Sequence, residues 1–282
     1  MTALTFLVTT LVLVNSFVPA SESVIAGRDP ESLPLVCDAQ STVMVPVSLA
    51  EAPLQRFVLD TGASLSIIDR DLAERLKLTP SGRIPSRSGS DALVIARLTI
   101  GSVTTPYQRI VAADFTQVRR VLGNVSGILG TDALRTLGAV TIDYDRCALR
   151  IGGTRARGED RVPLIWHEGR PVVVSADHEK LLLDSGASAL TLFEGRAAAS
   201  MVRSAGVSLV RVDRIDGSSV GRVGRVSALT LGRLDLAGTP AVVVKSWYDP
   251  TEREAPDGLL PLRLFSQVHI NFTEGFATFV RK

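Results

Sequence analysis

Two segments of the chain carry nearly the same residues in the same order: Phe57-Val58-Leu59-Asp60-Thr61-Gly62-Ala63-Ser64 and Leu181-Leu182-Leu183-Asp184-Ser185-Gly186-Ala187-Ser188. Each sets a carboxylate at the end of an apolar run and follows it with a hydroxyl, a glycine and two small residues. The apolar runs predict buried strands, so each carboxylate emerges from a wall of low polarity where ionisation is costly. Two carboxylates within hydrogen-bonding distance raise that cost further, because like charges so close cannot both ionise, and the pair holds one proton between them. One member is then a base that takes a proton from water. The other is an acid that protonates the carbonyl oxygen under attack, so hydrolysis needs no covalent intermediate. Asp60 and Asp184 are therefore the candidate catalytic residues. Gly62 and Gly186 permit a sharp turn and close backbone approach, while Thr61 and Ser185 supply hydroxyls able to tie the two loops together.

A single Asp-Thr/Ser-Gly triplet also reads as an ordinary polar turn after a strand. The chemical reading is favoured because the two copies occupy equivalent places in a longer internal repeat. Val43 to Leu49 precedes the first aspartate and Val172-Val173-Val174 the second. Helix-like stretches follow at Leu72 to Leu76 and at Arg196 to Val202. Then Ala96-Arg97-Leu98-Thr99-Ile100-Gly101 matches Ser227-Ala228-Leu229-Thr230-Leu231-Gly232, and Gly127-Ile128-Leu129-Gly130 matches Gly258-Leu259-Leu260-Pro261. Finally Ile142-Asp143-Tyr144 matches Ile270-Asn271-Phe272. Many short Val-, Leu- and Ile-rich runs separated by Gly, Pro, Asp and Ser predict a mostly β chain.

On these motifs the sequence resembles the pepsin and retropepsin superfamily of aspartic proteases, over the whole chain after about residue 40. The resemblance implies a mostly β, bilobal, pepsin-like acid protease fold: two homologous β-barrel-like lobes with an active-site cleft between them. It implies an aspartic endopeptidase that binds a polypeptide extended in that cleft and needs no cofactor. In that family each lobe carries an Asp-Thr/Ser-Gly loop and, behind it, a hydrophobic-hydrophobic-Gly element. Lobe one has both; in lobe two Leu259-Leu260 is followed by Pro261 where the pattern has glycine. Ala63 and Ala187 after the glycines are more similar to the bacterial retropepsin-like type than to pepsin, and both halves lie in one chain, which points to a monomer. Proline lacks an N–H and fixes φ, so the strand should end at Pro261 or sit at a sheet edge, and lobe two should be the less regular copy.

Family members close a β-hairpin over the substrate, and pepsin-like ones place a tyrosine there, but none lies between Ser64 and Gly101. The candidate hairpin tips are Ser88, Gly89 and Ser90 in lobe one and Asp216, Gly217 and Ser218 in lobe two, both glycine-bearing as tight hairpins require. An ordinary exposed loop is the competing reading of each. The alternative function is a non-catalytic peptide-binding protein on a degenerate scaffold, for which Pro261 and the missing tyrosine would be signs of decay. Intact aspartates, glycines and hydroxyls stand against it, since a non-catalytic site has no reason to pack charges together at an electrostatic cost.

The chain has 31 Lys and Arg against 29 Asp and Glu, a balance that leaves no electrostatic footprint for nucleic acid. His167, His178 and His269 are scattered, without the spacing of a zinc site, so no metal is expected. Residues 1–20 form an apolar segment ending in Val18-Pro19-Ala20; a signal peptide and a retained anchor, tethered through residues 3–20, both fit. Either places the lobes outside the cytosol, in a secreted, periplasmic or membrane-anchored protein. The expected divisions are an N-terminal extension at 21–40, a first lobe at 41–153, a polar linker at 154–169 and a second lobe at 170–282. Cys37 and Cys147 suit one disulfide in an exported protein or two independent thiols.

Overall fold

The computed structural model describes residues 6–8, 31–37, 42–50, 52–86, 89–153, 160–203, 208–214, 217–249 and 251–282. Most of the apolar leader at 1–20 and most of the 21–40 extension lie outside them. The two halves are built on one plan. In lobe one, Val43–Leu49 pairs antiparallel with Gln55–Leu59, and Gly127–Leu129 runs parallel to Gln55–Leu59 while pairing antiparallel with Ile67–Asp69. In lobe two, Arg170–Val174 pairs antiparallel with Lys180–Asp184, and Gly258–Pro261 runs parallel to Lys180–Asp184 and antiparallel to Leu190–Glu194. The strands that lead to the aspartates are covered on both faces: Phe57, Val58, Leu59, Leu181, Leu182 and Leu183 are all fully buried. That is why each reads as an unbroken apolar run rather than an alternating one.

The helix-like stretches differ between lobes. Arg70–Arg75 is α-helical, packs Leu72 and Ala73 inward, and carries Asp71 in its first turn and Arg75 in its last, which suits the helix dipole. Its counterpart Ala197–Met201 is a 3₁₀ helix. Among the described residues the strands gather into a fifteen-stranded sheet, a ten-stranded sheet and a small two-stranded one. Among the described residues no closed barrel is found, so the lobes are less barrel-like than the resemblance implies.

Both halves contribute to the larger sheet. Ala139–Asp143 of the first half pairs on one side with Ala148–Ile151 and on the other with Phe265–Asn271 of the second. Val140, Ile142, Val268 and Ile270 fill the core beneath this seam. Phe265–Asn271 continues to Phe276–Arg281, which pairs with Val162–His167. The polar stretch 154–169 therefore holds a strand where a linker was expected; residues 154–159 lie outside the described residues. Charged residues on either side masked it: Val162 and Leu164 face inward while Pro163, Ile165 and Trp166 are exposed. Cys37 and Cys147 form a disulfide, tying strand Val36–Cys37 to the turn after Asp143 across a separation of 110 residues.

Strand register identifies equivalent positions in the two lobes. Leu59 faces Leu129 and Leu183 faces Leu260, so Gly130 corresponds to Pro261. Ile67 faces Ile128 and Thr191 faces Leu259, so Ser66 corresponds to Leu190. In lobe one the Gly130 N–H donates to Ser66 Oγ at 3.1 Å, and Ser66 donates to Asp132 through Oγ at 2.7 Å and its N–H at 3.0 Å. A Cβ on Gly130 would stand 2.6 Å from the Leu65 carbonyl carbon. Lobe two replaces this polar tie wholesale, with Leu190, Pro261 and Arg263. An imino nitrogen with no hydrogen needs no acceptor, so the proline sits buried and extended, at φ −71°, at the end of its strand. The strand does end there. Lobe two is not less regular for it: Leu190–Glu194 and Gly258–Pro261 are longer than Ile67–Asp69 and Gly127–Leu129.

The two positions should respond unequally to substitution. Gly130→Ala forces the Leu65 backbone aside and should cost about 2 kcal/mol or more of stability, a steric effect of the overpacking kind. Pro261→Gly makes no clash but frees the unfolded chain and empties the space of a buried ring, and should cost about 1–2 kcal/mol. Equilibrium urea denaturation checks the order, and a Pro261→Gly loss larger than that of Gly130→Ala would refute it.

Candidate active site

Each aspartate leaves its strand into a loop that folds back on its own carboxylate. The Gly62 N–H donates to Asp60 Oδ1 at 2.8 Å. In lobe two the Gly186 and Ala187 N–H groups donate to Asp184 Oδ1 at 2.8 and 2.9 Å. Behind lobe one's loop, Asp60 N–H donates to Leu129 O at 3.0 Å, and Thr131 reaches Ala63 O through its N–H at 2.8 Å and its hydroxyl at 3.0 Å. The element after Gly127–Leu129 thus clamps the loop from behind.

The loops are joined to each other by a reciprocal set of hydrogen bonds. Thr61 Oγ1 donates to Leu183 O at 2.8 Å and accepts from Ser185 N–H at 3.0 Å. Ser185 Oγ donates to Leu59 O at 2.8 Å and accepts from Thr61 N–H at 2.9 Å. Each hydroxyl thereby bridges to the strand end and the loop of the opposite lobe, and all of these groups are buried. The tie brings the carboxylates together. A Cβ built on Gly62 would fall 2.7 Å from Asp184 Cγ, so only glycine leaves room for the opposite carboxylate. Asp60 is 1% exposed and Asp184 0%. Burial, and after it the Asp60 charge, raise the Asp184 pKa well above the usual carboxylate range, against the pull of the Gly186 and Ala187 N–H groups.

Two buried carboxyl groups in contact, one in each half of a duplicated β chain, agree with the family match: the profile described as "Aspartyl protease" fits residues 45–133 and again residues 170–262. The chain belongs to the aspartyl protease family. No curated protein matches it.

In this aspartyl protease the hairpins singled out as flap candidates are long and paired. Thr79–Ser86 pairs with Gly89–Ala96, Ser86 opposite Gly89, and Arg83 holds Ser90 through Oγ at 2.7 Å and O at 2.8 Å. Leu209–Arg214 pairs with Gly217–Val226, placing Gly217 opposite Arg214 and Ser218 opposite Asp213. Ser88 and Asp216 lie outside the described residues. Two residues the sequence reading passed over are Ser66 and Asp132, which brace the strand behind Asp60. Burial pushes the Asp132 carboxyl up to about 6 even though Ser66 and Ala133 donate to it. Their signal was present as Asp132 two residues past Gly130, a spacing lobe two does not share.

Removing one hydroxyl of the cross-lobe tie strands two buried partners. Thr61→Val and Ser185→Ala should each cost about 1–3 kcal/mol per orphaned group. Because they share one network the double variant should lose less than the sum. A urea-denaturation double-mutant cycle measures this, and strict additivity would contradict the reciprocal tie.

Asp184 predicts a pH-dependent stability. A carboxyl whose folded pKa is raised favours the folded state while protonated; that contribution is complete below the ordinary value of 3.8 and is lost as pH rises through the raised value. Asp184→Asn, neutral throughout, should match the parent protein in acid and exceed its stability at neutral pH. Denaturation midpoints from pH 3 to 8 check it, and a difference independent of pH would exclude the repulsion.

Proposed function

We propose that this aspartyl protease is an endopeptidase in which Asp60 and Asp184 share one proton and activate a water between them. The observation that carries this reading is the contact between two buried carboxyl groups, with Asp184 raised well above the carboxylate range. The ionised member accepts a proton from water as the hydroxide adds to the peptide carbonyl carbon. The protonated member delivers its proton to the carbonyl oxygen, giving a neutral tetrahedral intermediate. Collapse returns the oxygen's proton to the pair, the leaving nitrogen takes a proton from the other carboxyl, and the C–N bond breaks. The N–H groups of Gly62, Gly186 and Ala187 hold the Oδ1 atoms fixed through both steps.

The substrate on this reading is a polypeptide lying extended between the lobes, with the hairpins at 79–96 and 209–226 as the elements able to cover it. A single chain supplies both aspartates, which supports a monomer. We place the enzyme outside the cytosol; the Cys37–Cys147 disulfide supports an oxidising compartment. Among the described residues no helix is long and apolar enough to cross a membrane.

The test is to incubate the protein with a mixed peptide library from acidic to neutral pH, beside Asp60→Asn and Asp184→Asn. Internal cleavage with a bell-shaped pH profile is expected, since neither the fully protonated nor the doubly ionised pair has both roles. Each variant should lose roughly 10²-fold or more of the rate. Cleavage that survives in both variants would end the dyad reading.

A further inference from the structure

A second group of ionisable side chains lies outside the aspartate loops. His167 and Glu168 stand at the turn joining Val162–His167 to Arg170–Val174, and Glu252 comes from the segment after Pro240–Lys245. His167 Nε2 is 3.5 Å from Glu252 Oε1 and 3.9 Å from Glu168 Oε2. One ligand atom from each of the three lies within 4.8 Å of the others. His167 is only 9% exposed, yet its Nε2, aimed at both carboxylates, has no hydrogen-bond partner among the described residues. A buried ring nitrogen without a partner has given up its bond to water and received nothing in return, which points to a group that takes it.

The surroundings hold these side chains in place. Tyr248 meets the His167 ring edge-on at 5.3 Å between centroids. The fully buried Arg170 donates through Nη2 to Glu168 Oε2, the same oxygen that faces His167, and so orients that carboxylate; an ion there would share Oε2 with Arg170 or take Oε1. Arg196 holds the backbone carbonyl of Glu252 at 2.8 Å.

We propose that His167, Glu168 and Glu252 form a binding site for one divalent transition-metal ion, with zinc(II) the best fit. Metal–ligand bonds of about 2.0–2.2 Å in a tetrahedral site separate ligand atoms by roughly 3.3–3.5 Å. The His167–Glu252 separation already has that value, while Glu168, 3.9 Å from His167 Nε2 and within 4.8 Å of the Glu252 oxygen, must close by roughly 1.5 Å or less. One imidazole nitrogen with two carboxylate oxygens suits zinc, whereas calcium and magnesium prefer all-oxygen shells of six or more ligands. Arg170 opposes a cation, but its charge is matched by Glu168, which leaves Glu252 to favour the ion. Zinc bound here would brace the segment that leads through Asp257, whose Oδ2 accepts from Lys180 N–H at 2.8 Å, into the strand beside Asp184. Histidine spacing along the chain could not reveal the group, because Glu252 reaches the turn only through the fold.

The full-length protein, stripped with a chelator, should bind one equivalent of zinc(II) in competition with a chromophoric chelator. Cobalt(II) in its place should give the visible absorption of a tetrahedral site. His167→Gln and Glu252→Gln should each weaken zinc binding about 10-fold or more; Glu252 is partly exposed, so its variant keeps the fold. Asp60→Asn/Asp184→Asn should bind zinc like the parent, which separates this site from the protease reading. No stoichiometric uptake, uptake unchanged in Glu252→Gln, or uptake lost with the aspartates would each overturn the proposal.

Discussion

Two carboxyl groups buried side by side repel, and the structure holds them there by hydrogen bonds that neither lobe can complete alone. Thr61 and Ser185 each donate to a carbonyl at the end of the opposite aspartate strand and accept from the N–H of the opposite loop. Because these groups are buried, separating the lobes would leave several donors and acceptors without partners, a penalty larger than the modest net gain of forming each bond. The geometry of the aspartates follows from that constraint. The loops meet in one register, and the second position after Asp60 must be glycine because the Asp184 carboxylate occupies the space of a side chain.

The remainder of the molecule keeps the two strand ends aligned. Apolar strands buried on both faces deliver the aspartates, and the seam between Ala139–Asp143 and Phe265–Asn271 joins the halves in a common sheet. The disulfide anchors the first strands to that seam. With the lobes fixed in this way, the element behind each loop is free to differ. Lobe one uses a polar tie of Ser66, Gly130 and Asp132; lobe two fills the same positions with Leu190, Pro261 and Arg263. The departure at Pro261 is thus one part of a coordinated change, in which a lost N–H is matched by a lost acceptor, and it carries no sign of decay around Asp184.

Much of this was legible in the linear chain, because duplication writes the same pattern twice and a buried central strand is an uninterrupted apolar run. The mostly β class, the two-lobed plan and the residues opening each loop follow from local composition and its repetition, and the family from the resemblance those motifs carry. What the chain could not show depends on contacts between distant segments. Strand Val162–His167 is a short apolar run set among charged residues, and its pairing with Phe276–Arg281 is made only in the fold. Asp132 owes its raised pKa to the strands folded around it. The equivalence of Leu190 with Ser66 emerges only from strand register, and the meeting of His167 with Glu252 from the packing of a turn against a far segment. Sequence by itself determined which residues have the chemistry to act as a pair; the tertiary structure decided which carboxyl groups are buried together, since desolvation and like-charge repulsion depend on distances that no spacing along the chain encodes.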